Sequence, residues 1–277
     1  MSEALQLEKP VKTAPSRRFP TVIGRFDKPA DRATIDTLVQ WILKRYHEDL
    51  QRRPSKHEYV RHLPNEVIAQ IDTLRQSAVI GQAILQHFDA NHVITPMPHT
   101  DELYLSHYNK DFGGDQGLYS KHYDGNLRFV PFGTVVRALI YLQSDATYKV
   151  VFGNSKVERA CVTYEFGVLD FHRELHWVEG EYNPDDKQRI LLKCNYLVAP
   201  RSSGLPTRAV MGTNTAVFYV VKAAMEYSKS PRNPPQFVVG FLCNLFRLLN
   251  NIHPLVPLFL IAALLFAAVW GVQQLLA

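Results

Sequence analysis

With 277 residues, 46% of them apolar and 21% charged, the chain is long enough for one large domain or two small ones and has an ordinary globular composition. The net charge of +5 and pI near 9.0 come from basic residues that are scattered apart from Lys12 to Arg25 and Lys44 to Arg61. No Arg/Lys stripe is interleaved with aromatics, which speaks against nucleic acid as a partner and leaves a mild attraction to anionic lipid. Three dispersed cysteines exclude a disulfide framework and favour a reducing compartment.

Residues 1–28 are polar, rich in Lys, Arg, Pro and Ser, and lack the apolar stretch of a secretory signal, so they read as a flexible arm. A first helix is expected from an Asp31 N-cap to about Gln51, with Ile35, Leu38, Val39, Ile42 and Tyr46 on its apolar face. A second is expected after Pro64, carrying Val67, Ile68, Ile71, Leu74, Val79, Ile80, Ala83 and Ile84. Residues 29–100 therefore read as supporting helices.

From Glu102 the texture changes to short β-rich runs separated by Gly, Asp and Asn turns. The expected strands are Glu102 to Tyr108, Val135 to Leu142, Tyr148 to Phe152, Ala160 to Tyr164, Gly167 to Phe171 and Arg189 to Val198, with a loop at 111–116. Short, regularly spaced strands point to a sandwich or barrel over 101–228. Pro231 to Pro235 reads as a stiff linker, and Gln236 to Asn251 as an amphipathic helix lying on a membrane surface within a 229–253 segment.

The run from Pro254 to Val272 (PLVPLFLIAALLFAAVWGV) carries no charge and is long enough to span a bilayer core of about 30 Å. With Trp270 and His253 near its ends, residues 254–277 read as a single transmembrane tail anchor. The folded domain would then face the cytosol, as the juxtamembrane Lys229, Arg232 and Arg247 favour.

Within the β-rich region stands a spaced polar set: His122 and Asp124, His176, and Arg189. Two imidazoles and a carboxylate can cover one face of an octahedral metal and leave other positions open, the donor set of non-haem Fe(II) oxygenases. A fixed guanidinium nearby would hold a distal carboxylate of an organic acid. His-x-Asp also occurs at His47, His87 and His99. The first two fall in helices, where i and i+2 face different ways, whereas an extended pair shares a face. That leaves His99/Asp101 and His122/Asp124, and the strands around the second favour it. His176, which begins a new segment after a turn, is favoured over His172 as the distal ligand. Lys193 shares the face of Arg189 and is a fallback anion partner. Tyr108 and Tyr141 are core aromatics or phenol donors to a carboxylate.

These residues resemble the Fe(II)- and 2-oxoglutarate-dependent dioxygenases, especially the prolyl-hydroxylase-like branch, over Glu102 to Val198. Four segments carry the resemblance: Tyr108 with its Gly-containing loop and Lys-His122-Tyr-Asp124; Arg-Ala-Leu-Ile-Tyr141-Leu; Gly167-Val-Leu-Asp-Phe-x4-His176-x-Val; and Arg189-Ile-Leu-Leu-Lys-Cys-Asn-Tyr. It implies a mainly β fold with N-terminal helices, a double-stranded β-helix (jelly roll). It also implies Fe(II) on His122, Asp124 and His176, with the 2-oxoglutarate C5 carboxylate on Arg189, Tyr141 and Tyr108. The implied reaction hydroxylates a C–H bond with O2 and yields succinate and CO2, on a protein, lipid or small-molecule substrate. The sequence departs from the family where Ser-Asp-Ala-Thr-Tyr replaces a Gly-Gly-x-Thr turn, and where Glu179 to Lys187 lengthens the His176–Arg189 spacing. Two rival readings are an inert jelly-roll scaffold tethered to a membrane and a structural zinc site, the latter needing a fourth ligand.

Overall fold

Two antiparallel sheets face each other, and helices cover the outer face of the larger one. The structure, a computed structural model, describes residues 19–88, 90–107, 120–125, 133–144, 147–179, 188–201 and 232–252, together with 216, 220, 223, 224 and 227. Residues 1–18, the loop at 111–116, Tyr108, residues 180–187 and the apolar run 254–272 lie outside them. Among the described residues no helix is long and apolar enough to cross a membrane.

The larger sheet has the order β1(Val22–Arg25), β8(Glu165–Asp170), β5(Thr134–Gln143), β10(Arg189–Pro200), β4(Glu102–Ser106), β2(Ser55–Tyr59), and β3(His92–Pro96) pairs with the far half of β10. The smaller sheet has the order β7(Val157–Ala160), β6(Lys149–Phe152), β9(His176–Glu179). The long central strands are buried on both faces, so β5 and β10 read as almost continuous apolar runs. Their alternation still sorts the two faces. Val136, Ala138, Ile140 and Leu142 join Ile190, Leu192, Cys194 and Tyr196 in the core under the helices. The opposite phase, Leu139, Tyr141, Leu191 and Tyr104, meets Val150, Phe152 and Val178 of the smaller sheet. The interior between the sheets is the second core, and the site opens from it.

Helix α1 spans Pro29–Arg52, starting two residues before the expected Asp31 cap because Pro29 takes the first helical position, where no backbone N–H is required. It ends at Arg53, which is extended (φ −154°, ψ 151°) as the residue before Pro54 must be. The single second helix expected from sequence is two, α2(Asn65–Arg75) and α3(Ala78–Leu85). Ser77 between them is extended and donates to Asp31, while the Arg75 carbonyl accepts from the Tyr196 hydroxyl at 2.9 Å.

Other expectations need correction. The supposed flexible arm contains β1, an edge strand in register with β8 and flanked by buried Phe19 and Phe26. The region read as supporting helices contributes β2 and β3 to the sheet. The strand expected at Ala160 to Tyr164 lies earlier, at Val157–Ala160; Cys161 to Tyr164 turn back, with Tyr164 in the left-handed region at φ 69° and its N–H donating to Tyr141 O. The amphipathic segment forms α4(Pro234–Ile252), on which Phe237, Val238 and Phe241 are exposed.

Candidate metal centre

A backbone bridge builds the centre. His122 and His176 exchange both main-chain hydrogen bonds (3.1 and 3.0 Å), so the segment carrying His122 lies beside β9 as one further antiparallel rung. Residues directly opposite in such a pair bring their side chains together. The two imidazole centroids are 4.5 Å apart. Asp124, at a bend two residues on, completes the group. Donor atoms of His122, Asp124 and His176 all lie within 4.8 Å of one another.

The tautomers follow from the partners. His122 Nδ1 lies 2.8 Å from the carbonyl of Ser120, and His176 Nδ1 lies 3.2 Å from that of Glu174. A carbonyl oxygen only accepts, so each Nδ1 carries the proton of the neutral ring and each Nε2 keeps its lone pair. Both Nε2 atoms face Asp124, His122 at 3.8 Å from Oδ1 and His176 at 3.6 Å from Oδ2. Backbone carbonyls holding the remote nitrogen are a usual support for metal-binding imidazoles. Burial pushes the His176 pKa down from 6.5 to about 4, against the pull of Asp124, so its lone pair is available at neutral pH.

Asp124 is itself buried, which alone raises its pKa. The cations Arg137 and Lys193, followed by the two histidines, more than offset this and hold the carboxyl well below its usual range. Arg137 Nη1 lies 3.0 Å from Asp124 Oδ2, and its Nε donates to Asn195 Oδ1 at 2.8 Å. Asn195 is fixed in turn by Thr100 and by Asp101, which pairs with Arg75. Asp124 therefore hangs on a buried polar chain that runs back to the end of α2.

A cavity of about 530 Å³ opens in front of these residues, lined among others by Tyr104, His122, Leu139, Val150, His176, Val178, Arg189, Leu191 and Lys193. Arg189 is buried, and its guanidinium carbon lies 5.9 Å from the Tyr141 ring centroid. The Cys161 thiol touches both the Tyr141 phenol and Arg189. Burial raises the Tyr141 phenol well above its ordinary pKa, which keeps it a neutral donor. The cluster offers two imidazoles and one carboxylate at one place, and a guanidinium with a phenol at another. The donor types and spacing fit a divalent metal with open positions and a carboxylate-bearing ligand.

The expected residues His122, Asp124 and His176 are thus brought together, and Arg189 and Tyr141 share the interior behind them. Tyr108 lies outside the described residues. The alternatives do not converge: Asp101 is committed to Arg75 and Asn195, while His99 sits exposed in a short 3-10 turn that β3 precedes. His172 is buried against Phe171 and Gly125 and is no part of the donor group. Sequence reasoning missed Arg137, Tyr104 and Cys161. Arg137 left a signal, because a charged residue inside the run TVVRALIYL must find a partner when buried, and alternation puts it on the Tyr141 face.

No family model and no curated protein matches the chain. Solved structures do. A prolyl 4-hydroxylase from Phytophthora capsici is 16% identical with a TM-score of 0.44, covering 92% of this chain and 82% of its own. The viral collagen prolyl hydroxylase of Paramecium bursaria Chlorella virus 1, in its 2-oxoglutarate complex, is 12% identical at TM-score 0.40, covering 65% and 95% of the two chains. The non-heme alpha-ketoglutarate-dependent epimerase of nogalamycin biosynthesis is 14% identical at TM-score 0.44, covering 70% and 85%.

Proposed function

We propose that this protein is an Fe(II)- and 2-oxoglutarate-dependent dioxygenase that hydroxylates a C–H bond. The observation that carries the reading is the convergence of both Nε2 atoms on the Asp124 carboxylate, with His122, His176 and Arg189 lining one cavity and the buried Tyr141 ring beside Arg189. His122, Asp124 and His176 would hold the iron, which when bound supplies the redox chemistry that couples oxidation of 2-oxoglutarate to succinate with hydroxylation. Arg189 and the neutral Tyr141 phenol beside it would fix the far carboxylate of the oxo acid, and Leu139, Leu191, Val150 and Val178 would shield that pairing from water. Among the described residues the donor group has three members, which favours an open centre over a closed structural zinc site.

A peptide side chain such as proline is the substrate we favour, supported by the resemblance of the four sequence segments to prolyl hydroxylases. We also propose that the chain is held on a membrane by its apolar C-terminal run, with α4 on the surface and the catalytic domain facing the cytosol. The uncharged sequence from Pro254 to Val272 and the exposed Phe237, Val238 and Phe241 support this.

Direct measurement of metal binding tests the centre. Asp124→Ala and His176→Ala are each expected to lower Fe(II) affinity at least a hundredfold, while His172→Ala keeps it. Loss of binding in His172→Ala with retention in His176→Ala would overturn the assignment.

A further inference from the structure

The interior phase of β10 carries two cations, Arg189 and Lys193, four residues or about 13 Å of strand apart. Arg189 belongs with Tyr141 and Cys161, whereas Lys193 belongs to the metal end of the cavity. Its Nζ lies 3.9 Å from Asp124 Oδ1 and 3.9 Å from Glu102 Oε2. The ammonium also lies 5.5 Å from the Tyr104 ring centroid and is largely shielded from solvent.

Asp124 and Glu102 face Arg137 and Lys193, and the four formal charges cancel. A divalent ion on Asp124 leaves that end with an excess of two positive charges in a buried setting. The near carboxylate of a doubly charged oxo acid offsets one of these charges, while its far carboxylate is matched by Arg189. Arg137 cannot follow either ligand, since its Nε is held by Asn195 and its guanidinium stacks 4.5 Å from the Phe171 centroid. Lys193 can, because an ammonium on a four-carbon stem reorients with little cost and meets its two carboxylates only at long range.

Resting on the function proposed above, we propose that Lys193 is the cation through which metal and oxo acid bind cooperatively. In the metal-free site it competes with the metal for Asp124. Once a divalent ion has taken that carboxylate, Lys193 turns toward the metal-proximal carboxylate of the oxo acid while Glu102 continues to offset its charge. Removing it therefore acts in opposite directions on the two ligands, which loss of packing would not do.

The test measures Mn(II) binding to the full-length protein, alone and with 2-oxoglutarate, for the wild type, Lys193→Met, Lys193→Gln and Lys193→Arg. In the wild type 2-oxoglutarate is expected to tighten Mn(II) binding at least tenfold. Lys193→Met and Lys193→Gln are expected to bind Mn(II) alone at least threefold more tightly, yet the Mn(II)-loaded protein to bind 2-oxoglutarate at least tenfold more weakly. Lys193→Arg should keep most of the coupling. If both neutral variants weaken both ligands, leave either unchanged, or fail to fold where Lys193→Arg folds, Lys193 is structural and the inference falls. A wild type that binds Mn(II) and 2-oxoglutarate without coupling overturns this inference alone; one that binds neither overturns the proposed function with it.

Discussion

Burial decides the protonation of His176 and so ties the centre to pH. The ring's pKa falls from 6.5 to about 4 in the folded state because desolvation disfavours the imidazolium. The unfolded chain therefore binds the proton first, and the group's contribution to stability is fully present above pH 6.5 and is lost as pH drops toward 4. A shift of this size corresponds to roughly 3 kcal/mol. Urea unfolding of the metal-free protein should show stability falling over that window, and His176→Phe should flatten it. An unchanged slope in that variant would contradict the assignment. The same scale shows what the sequence disclosed of the site. His122, Asp124 and His176 were legible because extended spacing puts i and i+2 on one face and because the flanking runs are strands. The partners of Arg137 and Lys193 were not, since the carboxylates that face them come from other segments.

At the level of elements, β10 organises the molecule by pairing with β5, β4 and β3 and by sending alternate side chains to two cores. Long apolar strands such as β5 and β10 were legible because burial on both faces leaves a continuous hydrophobic run. The edge strands were not. β2 reads SKHEY and β1 reads VIGR, short segments with partly exposed polar residues whose pairing depends on a neighbour already in place. β1 nevertheless packs tightly, since a Cβ at Gly24 would come within 2.3 Å of the buried Phe166 ring. Gly24→Ala should therefore destabilise the protein by about 1–3 kcal/mol, read from its denaturation midpoint. A neutral effect would show that β1 detaches without disturbing the core.

For the whole molecule, the proposed anchor would tie the domain that carries the candidate metal centre to a membrane through α4 and the uncharged run beyond it. The exposed Phe237, Val238 and Phe241 form an apolar surface that the bilayer interface would cover. The full-length protein should stay with liposomes through alkaline extraction, and the double substitution Leu264→Arg, Leu265→Arg should release it. Each arginine costs about 2.5–3.5 kcal/mol near the middle of a spanning helix. Release of the unaltered protein by alkali would contradict the anchor and leave the catalytic reading intact. That reading meets its most direct test in Fe(II)-dependent formation of succinate from 2-oxoglutarate, assayed with a peptide and lipid substrate pool. Succinate is expected from the wild-type protein and none from Asp124→Ala. No turnover by the wild type with any pool, or equal turnover by Asp124→Ala, would contradict it.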